Sequence, residues 1–201
     1  MEAKKKVIIP VLGIHTAGKS TVANYLKKCG YRVYFEIAQE LLNRGERVGT
    51  ETTERIYELI TQRELERDWD ILKSNDEIVI IETWHIGNLA HARVRGLKEA
   101  KRIETLIKRH ILEIMKKVEV VPIFLEIPIG KIFERTKYYK EKEKNKRKNV
   151  LKFYKSLEKC YKDILKEFCL KYYSVDATKS PKIVKEQVIH LVKNIEKGIN
   201  Q

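Results

Sequence analysis

The sequence predicts an α/β fold, a parallel sheet covered by helices on both faces, and three observations carry that prediction. Apolar runs of strand length alternate along the chain with longer stretches of helical periodicity, the pattern of strands joined by crossover helices. The runs VIIPVL and IVII are continuously apolar rather than alternating, as expected of strands buried on both faces. Between the first run and the first helix stands GIHTAGKS, residues 13–20, with the G-x-x-x-x-G-K-S spacing of a phosphate-cradling loop.

Taken in order, the first strand is expected over Lys6 to Leu12 and the first helix over Lys19 to Cys29, stopped by Gly30, a suitable C-terminal glycine. YRVYFE (31–36) reads as strand two, and IAQELLNRG as a short helix ending at Gly45. Residues 52–74 form a long, highly charged helix that opens on threonine, a favoured cap. EIVIIE (77–82) is strand three. Ile103, Leu106, Ile107, Ile111, Ile114, Met115 and Val118 make a helical stripe, followed by strand four over 118–127. Leu157, Tyr161, Ile164, Leu165 and Phe168 mark the next amphipathic helix, YYSV (172–175) strand five, and Val184 to Ile195 the last helix. Pro10 and Pro122 fall inside predicted strands, where each lacks a ladder donor, so a bulge or break is expected at both.

The loop has a specific chemistry. Gly13 and Gly18 let the backbone turn with positive φ and approach an anion closely. The loop amides and the N-terminus of the following helix then face that anion with favourable partial charge. Lys19 would reach the β/γ-phosphates and the Ser20 hydroxyl would ligate Mg²⁺. Gly13, Ile14, His15, Thr16, Ala17, Gly18, Lys19, Ser20 and Thr21 are therefore the expected ATP-binding set. An ordinary glycine-containing turn would not require a strand before it and a lysine-serine helix start after it.

The chain has 201 residues and no repeats or Pro/Gly/Ser linkers, so one domain over 1–201 is expected. Its three cysteines, Cys29, Cys160 and Cys169, have no metal-ligand spacing and read as reduced thiols, Cys29 and Cys169 as small buried hydrophobes. No apolar stretch approaches membrane length, and the apolar run near the start leads straight into the phosphate loop; a soluble, cytoplasmic protein is expected. The net charge of +14 is unevenly spread. Residues 36–82 hold six Lys/Arg against thirteen Asp/Glu, whereas residues 131–155 hold eleven Lys/Arg against three Glu. The basic segment suits a lid over a polyphosphate, a nucleic-acid contact or a solvated helix face.

Two carboxylates stand at strand ends, where ligands bind in open α/β sheets. Glu82 closes strand three and can hold the Mg²⁺ shell or accept a proton from an acceptor hydroxyl; Glu36 closes strand two, placed for the same kind of work. Trp84 and Tyr57 could stack on a base, although aromatic burial favours packing; Trp84 is kept as a substrate-binding candidate. His85 and His91 have no Cys/His partners at ligand spacing, so no metal role is expected of them.

GIHTAGKST, YFEIAQE, IVIIETWHIGNLAHA, PIFLEIPIGKIFERT, NVLKFYKSLEKCYKDIL and SVDATKSPKIVKEQV occur in that order, and together they resemble the successive blocks of thymidylate kinases and deoxynucleoside kinases. The resemblance covers nearly the whole chain, with its specificity concentrated in the loop motif. It implies a P-loop NTPase three-layer fold, a five-stranded parallel sheet in the order 2-3-1-4-5, and a lid at about 137–149. It implies an ATP- and Mg²⁺-dependent transfer to a nucleoside or a thymidylate-like nucleoside monophosphate, and it allows a homodimer. By position, Glu36 matches the acid near the acceptor hydroxyl and Glu82 the acid of an Asp/Glu-Arg pair. Gln62 and Arg63 match the zone that reads a base or its phosphate, while Arg135 and the lid residues Lys146, Arg147 and Lys148 match the source of cations for the transferring group. Arg147 is the expected lid cation, because its planar fork suits phosphate. Three positions depart from the pattern: Thr83 replaces the arginine after the strand-three acid, His15 replaces an acidic sugar contact, and Gln39 stands in EIAQ. A polynucleotide 5′-hydroxyl kinase, with nucleic acid as a lesser partner, and a regulatory P-loop ATPase are the alternatives.

Overall fold

The computed structural model describes residues 6–45, 54–96, 100–135 and 144–199. Its elements are β1 (Val7–Leu12), α1 (Lys19–Lys28), β2 (Arg32–Tyr34), α2 (Ile37–Asn43), α3 (Glu54–Lys73), β3 (Ile78–Glu82), α4 (Trp84–Arg95), α5 (Ala100–Lys117), β4 (Glu119–Val120) and β5 (Ile123–Glu126). A 3₁₀ turn at Ile129–Lys131 leads into α6 (Ile132–Arg135), followed by α7 (Lys144–Glu167), β6 (Tyr173–Asp176) and α8 (Pro181–Ile199). The sheet is parallel in the order β2-β3-β1-β5-β6, with β4 also on β1. This is the expected 2-3-1-4-5 order with the fourth strand in two pieces.

The two prolines behave differently. Pro122 interrupts strand four as expected. Pro10 does not break β1, which runs continuously and pairs Pro10 with Ile81. The carbonyls of Lys6 and Ile8 accept from Glu119 and Val121, so even-numbered residues of β1 direct their polar groups toward strand four. The donor that Pro10 lacks therefore faces strand four between β4 and β5, and not β3, whereas the Pro122 carbonyl accepts from Tyr173 on the β6 side.

All residues of β1 and β3 are buried, which explains their unbroken apolar sequence. Helix α1 packs on α8, and α4 packs on α3, α5 and α7. Arg93 and Lys108 tie the second group together: each reaches Glu104 and Glu167 at 2.7–2.8 Å. A satellite core of Ile37, Leu41, Ile56 and Ile60 seats α2 on α3. Cys29 and Cys169 are exposed rather than buried, because each follows the last turn of a helix, Cys29 as the cap of α1 and Cys169 at φ 52° beyond α7. No described helix is long and apolar enough to cross a membrane.

Candidate active site

The strand-to-helix loop has the conformation its glycines predict. Gly13 lies at φ 145° and Gly18 at φ 100°. A Cβ on Gly13 would stand 2.8 Å from the Leu125 carbonyl oxygen and 3.1 Å from the Ala17 Cβ, whereas one on Gly18 would meet nothing within 4 Å. The first glycine admits close packing of the loop on β5, and the second leaves its outer face open. Ile14 and Ala17 are 2% exposed and anchor the loop in the core, so the Ile14 side chain turns away from the cleft while His15, Thr16, Lys19, Ser20 and Thr21 line it. Helix α1 starts without a side-chain cap, leaving its first amides for a ligand. Lys19 Nζ donates to the Gly13 carbonyl at 3.1 Å, folded over the loop.

The strand ends bring in the carboxylates. Ser20 Oγ donates to Glu82 Oε1 at 2.5 Å, and the Glu36 amide points at Glu82 Oε2 at 3.4 Å. Burial pushes the Glu82 carboxyl up; the Ser20 hydrogen bond opposes that shift and the Glu36 charge adds to it. A cleft of about 600 Å³ over the loop is also lined by Glu36, Gln39, Glu82, Arg135, Ala177 and Lys179. A second, of about 720 Å³, runs past α2 and α3 and is lined by Glu40, Arg63, Glu66, Arg67 and Asp70. The two meet at Ser20, Glu36, Gln39 and Glu82. One cleft lies over the loop and the start of α1, the other along α2 and α3, and the carboxylates stand between them.

Arg135 reaches the loop from α6: its guanidinium donates to the Thr16 carbonyl at 3.2 Å and the Ala177 carbonyl at 2.6 Å. Arg147 stands on the first turns of α7 with its guanidinium 5.6 Å from the Phe133 ring, outside both clefts. Of the expected lid, residues 137–143 lie outside the described residues, and residues 144–149 belong to α7. His15 stacks on Tyr154 at 6.4 Å, and burial followed by the Lys19 charge holds its imidazole below the ordinary histidine range.

Several assignments change. Trp84 is fully buried and its indole donates to Asp68 Oδ1 at 3.0 Å, so it is core and not a wall of either cleft. Gln62 donates to Glu66 at 3.0 Å and borders a separate groove with Arg102, while Arg63, a helical step away, faces the second cleft. Tyr57 is likewise core. Lining residues that the sequence does not mark as site candidates are Gln39, singled out only as a departure from the pattern, Ala177 and Lys179. The last two belong to a turn that Asp176 shapes by accepting from the Thr178 amide and hydroxyl at 2.9 and 2.6 Å; the D-A-T turn was the available signal. His85, expected to lack partners, meets Asp68, which His110 also contacts.

No protein-family model matches the chain, and no curated protein matches it in sequence. Solved structures match throughout. Deoxyadenosine kinase from M. mycoides is 17% identical over 94% of this chain and 99% of its own, with a TM-score of 0.58. Thymidylate kinase from Candida albicans is 14% identical over 96% and 93%, at 0.64. Shikimate kinase from Aquifex aeolicus is 16% identical over 95% and 99%, at 0.53. The chain has the fold shared by the P-loop nucleoside and nucleotide kinases.

Proposed function

We propose that the protein is an ATP-dependent phosphotransferase whose acceptor is a nucleoside or a nucleoside monophosphate. The observation that carries this reading is the Ser20–Glu82 contact at the meeting point of two clefts, because phosphoryl transfer needs metal, donor and acceptor within one arrangement. The Ser20 hydroxyl and Glu82 carboxylate are a pair of hard oxygens, the donor set that suits Mg²⁺. The ion, when bound, would neutralise charge on the donor phosphates.

The protein's own groups do the rest. The loop amides and Lys19 hold the phosphate chain. Glu36, exposed to both clefts, orients the acceptor hydroxyl and accepts its proton. Arg135, already hydrogen-bonded to the loop, supplies a guanidinium beside the transferring group, and Arg147 would join it from a lid at about 137–149. Shikimate kinase shares the fold, so the acceptor class rests on the resemblance of the sequence blocks.

The test is incubation with ATP and Mg²⁺ against nucleosides, nucleoside monophosphates and a 5′-hydroxyl oligonucleotide, with ADP as the readout. Acceptor-dependent ADP with nucleosides or monophosphates, lost in a folded Lys19→Ala variant, is expected. Transfer only to the oligonucleotide, falling steeply with salt, would establish the polynucleotide kinase instead. Slow ADP release without any acceptor would establish a regulatory ATPase.

A further inference from the structure

Away from both clefts, three helices direct ligand-forming side chains to one point. Asp68 lies on α3, His85 on the first turn of α4 and His110 on α5. His85 Nε2 is 2.8 Å and His110 Nε2 3.0 Å from the same oxygen, Asp68 Oδ2, and the three ligand atoms all lie within 4.8 Å of one another. We propose that Asp68, His85 and His110 form a binding site for one divalent transition-metal ion of the zinc class, which clamps α3, α4 and α5.

The donor set selects the class of ion. Two imidazoles and one carboxylate suit zinc and its borderline neighbours, whereas Mg²⁺ and Ca²⁺ take oxygen ligands. Tetrahedral coordination with bonds of about 2.0–2.1 Å sets ligand atoms about 3.3 Å apart, so the two nitrogen–oxygen separations, 2.8 and 3.0 Å here, would open by a few tenths of an ångström around the ion. Asp68 is preoriented for this. Its other oxygen, Oδ1, accepts the Trp84 indole N–H, the kind of outer contact that fixes a ligating carboxylate. Burial alone would push the Asp68 carboxyl up, but the His85 charge and the hydrogen bonds from His110, His85 and Trp84 hold it well below the usual range. The ligand is thus ionised at neutral pH.

The histidines must offer lone pairs. An ion takes the lone pair of each Nε2, which places any remaining ring proton on Nδ1. His85 Nδ1 is buried with no hydrogen-bond partner among the described residues, so the outer contact that commonly orients a ligating histidine is supplied here to Asp68 and not to His85. Asp68 and His85 side chains are fully buried and His110 is 16% exposed, which leaves one side for entry and for a water as fourth ligand. Glu64, whose carboxyl senses the His85 and Asp68 charges, is paired with Arg67 and hydrogen-bonded by Asn88. It is committed elsewhere.

The test uses the full chain, stripped with a chelator and kept free of nucleotide. Titration with Co²⁺ should give visible ligand-field bands that saturate at one ion per chain, and Zn²⁺ should displace them. With Zn²⁺ at about a hundredfold excess over Kd, the melting temperature should rise by about 5–10 °C. His110→Ala, at the least buried ligand, should lose the bands and the rise, and His110→Cys should keep both. Absence of bands and of any shift in the wild type would make the cluster a hydrogen-bonded one only and overturn the proposal, as would an unchanged stoichiometry in His110→Ala.

Discussion

The two loop glycines are superficially equivalent, yet replacing each by alanine should have opposite consequences. At Gly13 an alanine must adopt φ 145°, a conformation that costs a residue with a side chain about 1–3 kcal/mol. Its Cβ would also sit 2.8 Å from the Leu125 carbonyl oxygen. That oxygen cannot retreat freely, because β5 is held between β1 and β6, so overpacking adds about 1–3 kcal/mol. For a chain of this size each kcal/mol corresponds to about 2–4 °C, and Gly13→Ala should melt on the order of 5–20 °C lower. At Gly18 the φ of 100° imposes conformational strain, but the new Cβ meets nothing within 4 Å. Gly18→Ala should therefore lose about half as much stability while occupying the space proposed for phosphate, with ATP affinity falling tenfold or more. Thermal melts by circular dichroism and titration with a fluorescent ATP analogue separate the two. If Gly18→Ala melted as low as Gly13→Ala, or bound the analogue as well as wild type, the assignment of one glycine to packing and the other to ligand would be wrong.

Two further outcomes are expected. Arg135→Ala should lower turnover by about 10² or more, typical for a cation on the transferring group, and more than Arg147→Ala does; the reverse order in steady-state rates would return the role to the lid. His91 is pushed down to about 3 by burial and then by the charges of Arg95, Lys19 and His15. The unfolded chain takes up that proton near pH 6.5, so His91 contributes stability that is complete above 6.5 and is lost as pH falls toward 3, at no more than about 1.4 kcal/mol per pH unit. Urea melts of wild type and His91→Gln between pH 7 and 5 should show a shallower slope in the variant; parallel slopes would refute the assignment.

The sheet was legible because its signals are local. A strand buried on both faces has no polar residue to place, so VIIPVL and IVII read as central strands, and both are. Strand two was read too long, as 31–36 against Arg32–Tyr34, since Glu36 already caps the helix that follows. The tolerance of Pro10 depends on which side of β1 its missing donor faces, and that parity is set by pairing with another strand. The phosphate loop was legible for the same local reason: its glycines answer to φ values, and its lysine and serine follow in fixed positions. The Asp68, His85 and His110 cluster was not, because ligand spacing in sequence detects one hairpin or one helix, and these three come from three helices joined only by packing.

The turn after β3 shows where local reading fails most instructively. Trp84 is a base-stacking candidate in sequence for its aromatic ring, and strand alternation carried past Glu82 would put the two on the same side. The chain instead places two residues with side chains at positive φ, Thr83 at 76° and Trp84 at 49°. The Thr83 amide still bonds the Val11 carbonyl, so the turn stays fastened to β1 while its backbone reverses hand. Glu82 then faces Ser20, Trp84 swings into the core onto Asp68, and Thr83 is pressed against α4. Gly87 is what permits this, since a Cβ there would lie 2.1 Å from Thr83 Cγ2. Such strain persists only where the surroundings hold it, and here it separates two neighbouring residues into different tasks. One carries the carboxylate of the cleft, and the other orients the carboxylate of the buried cluster.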